Sequence, residues 1–290
     1  MAELVQLLFA GLTTGAVYAL VALGFTLIFQ ASEVVNFAQG EFVMLGGMVT
    51  VFAFKAGLPL PLAAALAIAV AVTTGLLLHR LAIEPAKGAT VVTLIIVTIG
   101  ASILIRGLAQ IVFDKQFHAF PAFTGDEPFR LLGAAILPQS LWVLGGAAAI
   151  VFGLWLFMER TLLGKAVRAT AANRLAAELV GIDTRLVLAL AFAVSAAIGA
   201  VGGILVTPIT LTSYAVGTIL ALKGFAAAML GGIGNPVGAV LGGLVLGLLE
   251  AFAAGWISST YKDGVAFLVI LLVLLAMPQG LLGRRAVERV

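Results

Sequence analysis

The sequence predicts an all-α polytopic membrane bundle, and three observations carry that expectation. The chain is 62% hydrophobic and only 10% charged, where globular domains are roughly a quarter charged, and its mean hydropathy is +1.21. Its apolar residues fall in repeated runs, each near the roughly 20 residues that cross hydrocarbon as a helix. No period-two alternation of polar residues marks a barrel, so helices, which satisfy their own backbone, are the spanning form. The 290 residues read as a single transmembrane domain, 1–290.

The spans follow in order. The first covers Leu4 to Gln30, with Glu3 the only charge before it. The start has no positive region ahead of its apolar run, so no cleavable signal peptide is expected. A polar dip, Ala31 to Asn36, leads into a second segment ending near Lys55. A third runs from Pro59 to Leu81, with His79, Arg80, Glu84 and Lys87 around its end, and a fourth from Thr90 to Phe113. The region 114–139, with Pro121, Pro128, Pro138, Gly125 and Gly133, reads as loop. The fifth span is Ser140 to Met158. A sixth, Leu186 to Thr207, is expected to stop at Pro208, since proline removes a helix donor. Thr218 to Leu230 is too short to cross comfortably, and Gly231-Gly232-Ile233-Gly234-Asn235-Pro236 then breaks the helix. Apolar sequence resumes from Val237 to Trp256, and the last span is Gly264 to Met277, followed by Arg284, Arg285 and Arg289.

Charge sets the orientation. The interval Glu159 to Arg185 holds five basic residues (Arg160, Lys165, Arg168, Arg174, Arg185) against three acids. Such an interval between spans belongs on the cytoplasmic side. With the arginine-tipped C-terminus also inside, an even number of crossings must separate the two. Counting the 218–236 region as a broken pair gives four. The parse is eight or nine membrane segments, N-out and C-in, with Lys55, Lys115, Arg130, Lys223 and Lys262 off the rule.

Local chemistry then singles out candidates. Within 159–185, Asn173 is placed to cap a short helix through Val180, Gly181 to close it in a left-handed conformation, and Asp183 to cap the next span. Asn36, Gln39 and Gly40 lie at helical i, i+3, i+4 spacing, with Glu41 beside them. Two readings stay open there: a segment lining a polar path, or an N-terminal cap with Glu41 favoured by the helix dipole. The Gly231, Gly232 and Asn235 break likewise reads as a gate element or as a tight hairpin near the cytoplasmic surface. Gly11/Gly15, Gly199/Gly203, Gly238/Gly242 and Gly243/Gly247 are small-residue pairs suited to close helix packing. Met44-Leu45-Gly46-Gly47 and Met229-Leu230-Gly231-Gly232 repeat in the two halves, a weak hint of repeated architecture. Arg106, Lys223 and Glu250 are expected to snorkel from segment ends.

Several chemistries are absent. There is no cysteine, so no disulfide or thiolate metal site, and His79 and His118 show no ligand spacing. Gly164-Lys165 is not a phosphate-binding loop, because Ala166 stands where a hydroxyl is required and no glycine precedes at the right distance. No acid, base or nucleophile constellation appears, so the chain is not expected to be an enzyme, and no catalytic, cofactor or metal residue is assigned. The basic residues serve orientation, so nucleic acid is not an expected partner; lipid is.

The ordered set of motifs resembles one family. Gly15-Ala16-Val17-Tyr18-Ala19-Leu20, Asn36-Phe37-Ala38-Gln39-Gly40-Glu41, Thr98-Ile99-Gly100, Gly164-Lys165-Ala166-Val167-Arg168-Ala169, Ala177 to Asp183, Leu230 to Asn235 and Pro278-Gln279-Gly280-Leu281-Leu282-Gly283 span nearly the whole chain. Together they resemble the shorter of the two paired permeases of ABC importers for branched-chain amino acids. The resemblance implies a multi-pass bacterial-type inner-membrane protein. It would pair with a second permease subunit, two cytoplasmic ATPase subunits that bind the ATP, and an extracytoplasmic substrate-binding protein. It also implies that 159–185 is a coupling loop, with Arg168, Asn173, Arg174, Ala177 and Gly181 docking on or shaping the contact with an ATPase. Asn36, Gln39, Glu41, Gly231, Gly232 and Asn235 are the candidates for the translocation path. Alternatives are a permease for urea, short amides or sugars, and, from another class, a secondary transporter working without ATPases.

Overall fold

A computed structural model describes residues 2–86 and 88–283. Lys87 and the three C-terminal arginines, on which part of the charge argument leans, lie outside the described residues.

The helices form in chain order as α1 Ala2–Ser32, α2 Gln39–Lys55, α3 Leu60–Leu78, α4 Val91–Phe113, α5 Pro138–Arg160, α6 Leu162–Ala172, α7 Arg174–Leu179, α8 Thr184–Thr210, α9 Val216–Gly231, α10 Pro236–Trp256 and α11 Lys262–Ala276. A π-helical turn, His79–Ile83, extends α3. Six of these are long and apolar enough to cross a membrane. The shorter α2, α9 and α11, of 17, 16 and 15 residues, pack among them.

Their ends gather at two poles, as the crossing count requires. At one pole Gln30 Nε2 donates to Gly234 O at 2.8 Å, Arg185 approaches Glu84 at 3.9 Å, and Leu281 N donates to Leu230 O at 2.8 Å. This is the pole of the basic 159–185 interval, hence the cytoplasmic one. At the other, Lys55 Nζ lies 2.9 Å from His118 Nδ1, and His118 exchanges backbone hydrogen bonds with Thr212.

Helix α1 runs up the middle, with every residue from Gly15 to Ile28 buried. In lipid this packing comes from close fit rather than water exclusion, so small residues decide it. A methyl at Gly15 would stand 2.9 Å from Gly243 O, and one at Gly247 would stand 2.3 Å from Gly15 Cα. Thus two of the glycine pairs form one seam between α1 and α10. Gly203, whose added methyl would meet Val43 O at 2.0 Å, seats α8 on α2 in the same way. Helices α3, α4 and α5 form the rim, with few of their residues buried.

Two expectations needed correction. Helix α8 does not stop at Pro208 but runs through it to Thr210. Membrane helices tolerate such a proline, and the hydroxyls of Thr207 and Thr210 bond the carbonyls of Gly203 and Val206 in the same stretch. The 114–139 loop also holds a hairpin, β1 Phe129–Leu131 with β2 Ala134–Ile136. Its turn residues Leu132 and Gly133 both have positive φ, 51° and 85°, which matches the twist of a two-residue hairpin.

Candidate functional site

Three groups of candidate residues occupy three places. The first is the cytoplasmic segment after α5. Thr161 caps α6 by accepting from Gly164 N at 2.9 Å. Gly164, Val167 and Thr170 of α6 are buried while Leu162 and Leu163 are exposed, so this helix lies along the bundle's inner end. Asn173 closes α6 and caps α7, its Oδ1 accepting from Ala176 N at 2.9 Å. At the far end Ile182 N bonds Ala177 O and Gly181 N bonds Glu178 O, each at 3.0 Å, with Gly181 at φ +88°. That pair of bonds is a Schellman closure, and the positive φ is why glycine stands there. Asp183 Oδ1 then accepts from Arg185 N and Leu186 N to start α8.

Of the residues expected here, Ala177 is buried, Arg174 Nε reaches Glu178 at 3.3 Å, and Arg168 is bound to Glu159 further back. What α7 presents outward is apolar: Leu175, Leu179 and Val180 are 68%, 80% and 78% exposed. A polar groove of about 460 Å³ runs beside it, lined by Arg174, Glu178, Gly181, Asp183 and Arg185.

The second place is inside the bundle. After α1 the chain turns at Glu33, with φ +57°, and re-enters. Val34, Asn36 and Ala38 are buried, and Phe37 sits against Phe25 and Phe225, with centroids 6.3 and 5.4 Å away. Helix α2 therefore starts within the bundle rather than at its end. Asn36 lies in the turn ahead of it, not on a shared helical face as expected, because its side chain bonds Ala38 N at 3.1 Å and so favours a turn over a helix. Ser195 Oγ lies 2.6 Å from Gln39 Oε1 and 2.9 Å from Gly24 O.

Helix α4 supplies the polar partners this irregular backbone needs. Thr98, Ser102 and Arg106 form an i, i+4, i+8 stripe. Thr98 Oγ1 accepts from Phe37 N at 3.3 Å. Glu41 Oε1 accepts from Ser102 Oγ at 2.7 Å and from Arg106 Nη2 at 2.9 Å. Glu41 Oε2 is buried with no hydrogen-bond partner. Arg106 was expected to snorkel; it turns inward instead, because a buried carboxylate is there to meet it.

The third place is the 231–236 turn. Gly232 and Gly234 take φ +100° and +85°. Asn235 Oδ1 accepts from Val237 N and Gly238 N, each at 3.1 Å, and its Nδ2 donates to Leu282 O at 2.9 Å. Gly231, Gly232 and Asn235 thus stand at the cytoplasmic pole, joined to the C-terminal segment and apart from Asn36, Gln39 and Glu41. The repeated tetrapeptides differ in setting as well: Gly46 and Gly47 are mid-helix, while Gly231 ends one.

A fourth cluster escaped sequence reading. Lys223 Nζ lies 2.9 and 3.0 Å from the two oxygens of Glu250, 3.0 Å from Tyr18 OH and 2.9 Å from Asp263. Tyr18 OH donates to Glu250 Oε2 at 2.7 Å. Neither Lys223 nor Glu250 snorkels. The signal was a lone cation and a lone anion in successive apolar segments, which find each other rather than water. A cavity of about 800 Å³, lined mostly by apolar residues of α1, α5 and α10, lies outside the Lys223 cluster and reaches Glu159, Arg168 and Pro236 at the cytoplasmic end.

Comparison with known proteins adds to this geometry. A family model described as branched-chain amino acid transport system / permease component matches residues 7–274. The high-affinity branched-chain amino acid transport system permease protein BraD of Pseudomonas aeruginosa is 36% identical, covering 98% of this chain and 97% of that protein. LivH of Escherichia coli K12, a permease protein of the same description, is 34% identical over 98% and 97%. Among solved structures, a chain of PsaBC from Streptococcus pneumoniae in complex with Fab superposes with TM-score 0.50 at 15% identity, covering 95% of this chain and 91% of that one. That likeness concerns the fold.

Proposed function

We propose a function from the premise that the chain belongs to the branched-chain amino acid transport permease family and is the membrane subunit of an ABC importer. The chain carries branched-chain or similarly small amino acids inward. It pairs with a second permease subunit, receives substrate from an extracytoplasmic binding protein, and is driven by two cytoplasmic ATPases. Those partners bind the ATP; this chain holds no cofactor. A permease translocates rather than catalyses, and it sits in a bacterial-type inner membrane.

Coupling is assigned to residues 159–185. The observation that carries it is α7: a helix closed by side-chain and glycine caps, with Leu175, Leu179 and Val180 bare at the cytoplasmic pole. A two-turn helix cannot stand on propensity alone. Here caps at both ends and the buried Ala177 hold it, so it can pass a push on to α8, which starts four residues after Val180. Asn173 and Gly181 shape it, Arg174 lines the adjoining groove, and Arg168 braces α6 against α5 through Glu159. The path candidates Asn36, Gln39 and Glu41 lie where the backbone breaks inside the bundle. Gly231, Gly232 and Asn235 frame the cytoplasmic pole beside it.

The test is retention of the ATPases. Leu175→Asp with Leu179→Asp puts charge on the bare face without touching the caps, so the chain should still fold and should lose at least roughly tenfold in ATPase co-purification. Full retention of the ATPases by this double variant would remove α7 as the docking element.

A further inference from the structure

Helix α2 begins inside the bundle, and its first turn touches that of α9. A methyl at Gly40 would lie 1.9 Å from Gly217 O, and one at Gly217 would lie 2.8 Å from Glu41 Oε2. Neither helix is capped by a side chain, the preceding residues being Ala38 and Ala215. At this seam three buried polar atoms lack partners: Glu41 Oε2, Asn36 Nδ2 before α2, and Thr218 Oγ1 beside Gly217. Glu41 itself is 1% exposed. A buried carboxylate oxygen left idle is costly, and interiors rarely tolerate one without cause. Its other oxygen is held by Ser102 and by Arg106, whose side chain is 28% exposed on the rim.

We propose that Glu41 and Arg106 form a recognition station for the zwitterionic head group of the translocated amino acid. Glu41 Oε2 takes the α-ammonium and Arg106 takes the α-carboxylate, once α9 has parted from α2 along the Gly40–Gly217 seam. This rests on the reading of the chain as an amino-acid permease. Its physical basis is exchange. A zwitterion entering a low-dielectric interior must surrender two hydration shells, which is prohibitive unless each charge finds a partner on arrival. An internal pair of opposite charges can trade partners with the solute, so none of the four charges is stranded and the net charge stays zero throughout. The uncapped first turns of α2 and α9 add a positive field beside the carboxylate, which suits an anionic group on the solute as well. A neutral sugar or amide offers neither charge and gains nothing from the exchange.

The experiment uses the whole importer with its binding protein, reconstituted in vesicles, and reads labelled leucine uptake per assembled complex. Glu41→Gln keeps the volume and an oxygen for Ser102 and Arg106 but removes the charge. It should assemble and lose uptake roughly tenfold or more. Assembly with uptake within about twofold of wild type would overturn the station. Should Glu41→Gln fail to assemble, the reversed pair, Glu41→Arg with Arg106→Glu, decides: assembly restored without uptake supports the station. Restoration of both, or of neither, assigns the pair to folding alone and overturns it. Absence of leucine uptake by the wild-type importer would instead sink the amino-acid reading itself.

Discussion

Two ion-pair clusters lie among the apolar helices, and they are built to different ends. Around Lys223 each charged group faces an opposite one: both Glu250 oxygens lie within 3.0 Å of Nζ, though Oε1 makes no hydrogen bond, Tyr18 bridges to Glu250, and Asp263 closes the outer side. Four helices, α1, α9, α10 and α11, meet there. Around Glu41 only one oxygen works, the other faces a glycine, and the arginine is partly open. A cluster whose charges all face opposite ones holds helices together; one with an oxygen turned to a seam has capacity to spare. The contrast teaches that burial of a charge does not by itself mark a functional site. What marks it is a buried carboxylate oxygen set against a helix seam, at Gly217, whereas Glu250 Oε1 has a cation 2.9 Å away.

The largest effect that could break this contrast is at Lys223. Lys223→Met leaves the buried Glu250 carboxylate without its cation, and losing one partner of a buried pair costs about 3–5 kcal/mol. Thermal unfolding of the purified chain should show that loss, and removing Glu250 as well, as Lys223→Met with Glu250→Leu, should recover part of it. A Lys223→Met chain as stable as wild type would show that the cluster is not a lock. Next comes Tyr18→Phe, which deletes one hydroxyl from the same cluster. It should lower stability by about 1 kcal/mol and leave leucine uptake per complex unchanged; reduced uptake at full stability would blur the division between lock and station.

The smallest effect belongs to a carboxylate outside both clusters. Asp114 is exposed at the outer pole, and the hydrogen bond from Gln116 N, with His118 a smaller cause, holds its carboxyl below the ordinary range. A depressed folded-state pKa means this contribution is present above the unfolded value and is lost as pH falls through the folded one. The Gln116 amide should therefore lose exchange protection only on acidification past the usual carboxylate range, and Asp114→Asn should flatten that dependence. A Gln116 amide equally protected through the transition would deny the bond any role.

Much of the architecture could be read from sequence because its causes are local or periodic. Span lengths follow hydrocarbon thickness, and the caps at Asn173, Gly181 and Asp183 act within two to five residues of themselves. The paired glycines showed where backbones would meet, though not which helix each pair would face. Contacts across long separations were hidden: Lys223 and Glu250 are 27 residues apart and Glu41 and Arg106 are 65 apart, so Lys223, Glu250 and Arg106 looked like lone charges free to reach water. Helix α6 was missed because only Gly164, Val167 and Thr170 face the bundle, too few to stand out between basic residues. The start of α2 was misplaced by one turn, since Asn36 fits helical spacing but spends its side chain on Ala38 N.

The division of labour between the clusters is tested most directly by measuring leucine uptake per assembled complex for Glu41→Gln beside Lys223→Met. The structure leads us to expect a Glu41→Gln importer that assembles and does not transport, and a Lys223→Met importer that assembles poorly while its surviving complexes transport normally. Uptake that falls only in step with assembly in both variants would contradict it.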